Sequence, residues 1–222
     1  MNGYRSGVAD TGAGTTDLTI SAPAGVVAAT DVLLVAMTWT GGTGVTVTPP
    51  TTFTLVARVD SGTDLGMGIY VGTYVAGNRT WSFGASVNAL SHALAFTGGD
   101  LQSPVSMADA MALASGTALT APGLKPTEAV QLLATFHAVL ASATLTAPTD
   151  MIERLNNSGS VSLASNTVVW ASKESVPQMT ETASVAGVGL TASVLLQGNL
   201  AVLEEVVDMV VEDAQDVLVY AV

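Results

Sequence analysis

A chain of 222 residues with 49% hydrophobic and only 11% charged residues is too apolar to stay disordered and long enough to bury a sizeable core. Its 18 acidic residues against 6 basic ones give a formal net charge of −12, which excludes a nucleic-acid backbone and an anionic membrane surface as partners. Without cysteine it has neither a disulfide framework nor a thiolate metal site, and no apolar run reaches the roughly 18 residues of a membrane-spanning helix.

Residues 1–13 read as an N-terminal arm. From 14 to 198 the chain is a succession of short apolar stretches divided by Gly, Pro, Asn and Asp, the pattern of β-strands and turns. The stretches occur twice, in repeats of about 14–105 and 106–198. Leu18 to Gly25, with Pro23, is echoed by Ala118 to Gly123, with Pro122. Asp31 to Trp39 matches Ala129 to His137, which sets His137 in the packing slot of Trp39. Val47-Thr48-Pro49-Pro50 matches Leu145-Thr146-Ala147-Pro148, Tyr74 matches Trp170, and Ala93 to Gly98 matches Ser193 to Gly198. An internal repeat of this kind marks a duplicated structural unit.

About six short strands are predicted in each repeat. Thr80-Trp81-Ser82-Phe83 alternates large and small residues, as a half-buried strand does. The run Val32 to Met37 does not alternate and predicts a strand buried on both faces. The fold class is therefore all-β: a β-sandwich or jelly roll built from two sequence repeats in one domain. Residues 199–222 abandon Gly and Thr for Val, Leu and carboxylates. Leu200, Leu203, Val207, Val210, Ala214 and Val217 follow alternating steps of three and four, a short heptad seam. This predicts a helical arm that docks on another subunit, with a pair of strands as the alternative favoured by its valines.

The strand Asp31 to Ala36, the turn from Pro50 to Thr54, the strand Ile69 to Ala76 and the segment Phe96-Thr97-Gly98-Gly99-Asp100 before Pro104-Val105 carry a resemblance. Together they resemble a β-sandwich family of bacteriophage tail and virion surface proteins and of actinobacterial proteins, over about residues 14–198. The resemblance implies a non-enzymatic virion structural protein, a minor tail, fibre or capsid-decoration subunit assembled in the host bacterial cytoplasm. Its partners would be other virion proteins and further copies of itself. It implies no catalytic residue, cofactor or metal.

Residues of catalytic type are present but badly placed for catalysis. Asp10-Thr11-Gly12 and Asp60-Ser61-Gly62 have the triplet form of aspartic peptidases, whose two carboxylates share a proton. Their counterparts in the repeat, Ala114-Ser115-Gly116 and Asn157-Ser158-Gly159, carry no carboxylate, so the triplets read as turns. His92 and His137 are too few for a metal site on their own. Asp60, Asp64 and Asp100 offer a weak calcium reading against the commoner one of solvated turns. Gly66 to Gly72 lacks dinucleotide-loop spacing and reads as a strand with close backbone contacts. Trp39, Trp81, Trp170, Tyr70 and Tyr74 leave a host-surface glycan as the alternative partner, with most of these rings expected in the core.

Overall fold

The structure, a computed structural model, describes residues 3–27, 30–74 and 79–198. The arm 199–222, with its seam from Leu200 to Val217, lies outside the described residues. The described residues form twelve strands and one 3₁₀ turn at Gly42–Gly44, with no α-helix. The first half contributes β1 (Gly3–Thr19), β2 (Asp31–Thr40), β3 (Val47–Thr48), β4 (Phe53–Ser61), β5 (Leu65–Thr73) and β6 (Thr80–Thr97). The second contributes β7 (Val105–Ala121), β8 (Gln131–Val139), β9 (Leu145–Thr146), β10 (Ile152–Asn157), β11 (Ser162–Trp170) and β12 (Met179–Leu196).

Each half makes its own six-stranded antiparallel sheet, and the strand order is the same in both. It runs β1-β6-β2-β5-β4 in the first and β7-β12-β8-β11-β10 in the second, with β3 on β6 and β9 on β12. The irregularities are duplicated too. The ladder shifts at Tyr4/Ser6 and at Leu55/Ala57 return at Leu195/Leu196 and at Glu153/Leu155. Bulges are local backbone features that composition does not dictate, so their recurrence at matched places reflects a duplicated architecture.

Two features differ from the sequence reading. Residues 3–13 are the first part of β1 and pair with β6, just as the start of β7 pairs with β12. The strands are also not uniformly short, since β1, β6, β7 and β12 run 17 or 18 residues. Their length lets each half cover itself. Beyond Ala89, where β6 leaves β2, the strand continues to Trp81 and Phe83, and these rings pack with Met37, Trp39 and Tyr70 on the outer face of β2 and β5. The inner faces of the two sheets meet in a shared core that includes Leu34, Leu94, Phe96, Phe136, Leu163 and Leu190. With a core on each side, β2 and β8 are buried on both faces, as their unbroken apolar runs require.

The ladders also correct the alignment of the repeats at three strands: Asp10 of β1 corresponds to Met111 rather than Ala114, Asn157 of β10 corresponds to Val59 rather than Asp60, and the third correction is at β2. Met37 pairs with Gly68 and Ser91, and His137 with Ala164 and Thr191, while Trp39 pairs with Gly66 and Ala89, and Val139 with Ser162 and Gly189. The counterpart of His137 is therefore Met37, and that of Trp39 is Val139. Reading β2 against β8 from sequence slid one strand by two residues. A slip of two keeps every side chain on its own face, so a period-two pattern cannot reveal it.

Candidate functional site

Polar side chains gather at three places. The first is the core of the second half, where His137, Asn166 and Glu181 are all fully buried. His137 Nδ1 lies 2.6 Å from Glu181 Oε2, and Asn166 Nδ2 donates to the same oxygen at 2.8 Å. His137 Nε2 faces the Met179 carbonyl at 3.4 Å, so each ring nitrogen lies beside an oxygen. The counterparts of His137, Asn166 and Glu181 in the first half are Met37, Tyr70 and Trp81. Tyr70 and Trp81 meet edge to face at 5.8 Å. One fold thus fills the same place with an apolar aromatic cluster in one half and a hydrogen-bonded ionisable one in the other.

Glycines in β5 make room for the aromatic version. A Cβ on Gly66 would overlap the Trp39 indole, and one on Gly68 would stand 2.9 Å from the Tyr70 ring. Their counterparts beside the smaller polar core are Ser162 and Ala164. The Gly66 to Gly72 run is a strand under close packing.

The second place is the seam between the sheets. His92, on the inner face of β6, contacts two residues of the opposite sheet: Ser165 Oγ at 2.6 Å from Nδ1, and Asn157 Oδ1 at 3.1 Å from Nε2. Burial pulls the ring down to about 3 from its ordinary value of 6.5, an effect only partly offset by the Asn157 bond. The ring is therefore neutral, accepting from Ser165 and donating to Asn157. Nearby, Arg154 bridges the seam by stacking over the Tyr4 ring at 4.1 Å and donating to Thr167 Oγ1 at 2.7 Å. Burial raises the Tyr4 phenol and lowers the Arg154 guanidinium, each shift opposed by the partner's presence.

The third place is a cleft of about 220 Å³ at one end of the seam. Thr11 and Asn88 from the first sheet face Ser158 and Ser160 of the β10–β11 turn across a floor that includes Leu90 and Val161. Among the described residues no charged side chain lines it. Asn88 is held in place, its Oδ1 accepting from the Gly14 N–H and its own N–H donating to Thr40 Oγ1, each at 3.0 Å.

The remaining candidates are dispersed. Asp10 accepts from the Ser21 N–H and hydroxyl at 2.8 and 2.7 Å, and Asp60 pairs with Arg58 at 2.9 Å. They stand on β1 and β4, the opposite edges of one sheet, so the two triplets do not form a carboxylate pair. Asp100 accepts from the N–H groups of Gln102 and Ser103 in a turn. Among the described residues no three His, Cys, Asp or Glu side chains converge as a metal site would need. Trp39, Trp81 and Tyr70 are at most 2% exposed and cannot stack on a sugar. Tyr74 and Trp170 are half-buried, the first under Arg79 at 5.3 Å and the second donating to the Glu174 carbonyl at 3.1 Å.

Sequence reasoning missed both buried clusters. The sequence aligned His137 with Trp39, and this register error on β8 hid that His137 lies beside Asn166 and Glu181. No family model, curated protein or solved structure matches the chain.

Proposed function

We propose that this protein is a non-enzymatic structural subunit of a bacteriophage particle, in its tail, a fibre or the capsid surface, acting through contacts with other virion proteins and copies of itself. The observation that carries this reading is where the reactive side chains have gone. His92, His137, Glu181 and Asp31 are all inaccessible to solvent and each is committed to hydrogen bonds inside the fold. What remains for function is the exterior: four edge strands, with Leu55 on β4 and Ile152 on β10 exposed at 45% and 56%. The arm 199–222 supplies the assembly element through the seam from Leu200 to Val217. Immunogold labelling of purified particles tests the reading, with label expected at one fixed position on each particle. Particles without label overturn it. Truncation after Gly198 should leave a folded monomer that no longer incorporates.

The cleft favours a second reading, a module that contacts a neutral glycan of the host surface. Hydroxyls and an oriented amide over an apolar floor suit a polyhydroxylated ring, and a volume below the usual 300–1,000 Å³ of ligand pockets suits one sugar unit. Methyl glycosides of glucose, galactose, mannose and N-acetylglucosamine should shift the amide resonances of Thr11, Asn88 and Ser160 in this reading. An Asn88→Ala variant should not respond.

A further inference from the structure

Each half has an apolar core of its own, apart from the one the halves share. Leu18, Trp39, Trp81 and Phe83 belong to that of the first half; Leu119, Val139 and Leu145, with a neighbouring cluster around Leu133 and Val176, belong to the second. The halves are joined by the shared core, and His92 sits in it with both ring nitrogens bonded across to the other sheet.

The fold itself does not ask for polar atoms there. The contact is made twice, β6 over β11 and β12 over β5, with β1 beside β10 and β7 beside β4. At the second copy, the counterparts of His92, Ser165 and Asn157 are Ala192, Ile69 and Val59. The first two are buried and Val59 packs against them in the same core. The same holds at the edges, where Tyr4 and Arg154 have Val105 and Val56 as counterparts.

We propose that His92, Ser165 and Asn157 form an acid-sensitive latch: protonation of His92 parts the two sheets while each half keeps its own core packed. Among the described residues, a charged imidazolium in this seam has no carboxylate to meet. On β1, Asp10 is bound to Ser21, Asp17 to Ser82 and Arg5 to Asp31 of β2. On β10, Glu153 is bound to Asn156, and Arg154, itself a cation, is held by Tyr4 and Thr167. Neither β6 nor β11 contains a charged residue, and His137 on β8 faces the core of the second half. Desolvation is thus uncompensated, and the ring takes a proton more readily in the open state than in the closed one.

The sign follows from that difference. The closed-state value is about 3 and the value in water 6.5, so the open state binds the extra proton throughout this window. Closure is at full strength well above pH 6.5, has lost about half of its ratio at 6.5, and weakens by about tenfold per pH unit as the pH falls from there toward 3. Between pH 6.5 and 4.5 the closed-to-open ratio should drop about fiftyfold from this one group.

The apolar copy of the seam supplies the control. A full-length variant carrying His92→Ala, Ser165→Ile and Asn157→Val transplants the residues found at Ala192, Ile69 and Val59. Urea unfolding of both proteins between pH 6.5 and 4.5 should show this loss of about fiftyfold in the wild type beyond whatever the variant loses. Parallel curves overturn the latch. A measurement on the wild type alone covers the case of a variant that does not fold: nitrogen NMR at pH 5 should find the His92 ring neutral with the proton on Nε2, and a charged ring at that pH overturns the proposal. Near pH 4, X-ray scattering should report expansion while fluorescence of the buried Trp39 and Trp81 stays native-like. Simultaneous loss of both signals means global unfolding and rejects a latch between intact halves.

Discussion

Met37 and His137 occupy the same rung of two sheets with the same strand order, one against a Tyr–Trp pair and the other against Asn166 and Glu181. A buried polar pair is weak support for stability, because desolvation of both groups offsets most of their attraction. Removing one partner is another matter. Glu181→Ala leaves His137 without its closest acceptor and Asn166 without its carboxylate, and should cost about 3–5 kcal/mol in urea unfolding. The triple replacement His137→Met, Asn166→Leu and Glu181→Leu, which gives this half an apolar filling like that of the first, should be neutral or gain about 1–4 kcal/mol. A triple variant as unstable as Glu181→Ala would show that the polar cluster is needed by this half for more than filling space.

The glycines of β5 give a second test. Gly66→Ala drives a Cβ into the Trp39 indole, which is fully buried and cannot give way, so a loss of about 1–3 kcal/mol is expected. Trp39→Val, which installs the residue found at Val139, should cost about 3–5 kcal/mol by itself through the cavity left behind. Combined, the two should cost less than their sum, because the small side chain removes the clash that the methyl group creates. Strict additivity in the double-mutant cycle would mean that Gly66 and Trp39 are not matched by packing.

The twofold recurrence of strands was legible in the sequence because turn residues and apolar runs recur at nearly constant spacing. The double burial of β2 and β8 was legible from the lack of alternation in their apolar runs. The two polar clusters were not, and for a specific reason. Glu181 and His92 sit in strands whose other inward positions are apolar, and a single inward polar residue looks the same as a strand whose phase has slipped. Only the ladders, which fix His137 against Ala164 and Thr191, show that three such residues converge. The long strands were missed because glycine breaks their sequence pattern at Gly12, Gly14, Gly116 and Gly187, where the backbone bulges or bends and continues.

Tyr70 predicts an alkaline limit for the first half. Burial, which outweighs the nearby Arg58 charge, pushes its phenol up to about 12 from 10. The unfolded chain therefore loses this proton first, and stability should fall as the pH rises from 10 toward 12, by about 1.4 kcal/mol per unit. Tyr70→Phe keeps the ring against Trp81 and removes the ionisation. The difference in urea midpoint between the two proteins should open above pH 10 and close below it. An equal alkaline slope in both would place the ionisation responsible elsewhere.

The two halves solve one buried position in two ways. Asp31 is fully buried, accepts from the Val27 N–H at 2.7 Å and pairs with Arg5, 2.7 Å away, whose side chain is 32% exposed. Its counterpart Gln131 is also buried and donates from Nε2 to Ser106 Oγ at 2.7 Å, and Ser106 is the counterpart of Arg5 at the same bulge. The first half joins its edge strand to β2 with a charge pair and the second joins β7 to β8 with a neutral one. Arg5→Ala strands a buried carboxylate, and because the guanidinium is partly in water the cost should fall below the range for a fully buried pair, at about 2–3 kcal/mol. Asp31→Gln alone should also destabilise, since Arg5 then loses its anion. The double variant Arg5→Ser with Asp31→Gln rebuilds the neutral pair of the second half and should recover most of the stability lost by either single change. It should also respond less to salt than the wild type, because no exposed charge remains in the contact. Urea midpoints at low and high ionic strength measure both effects. If the double variant lost the sum of the single losses, the two pairs would not be interchangeable and the match between the bulges at Arg5 and Ser106 would be one of backbone only.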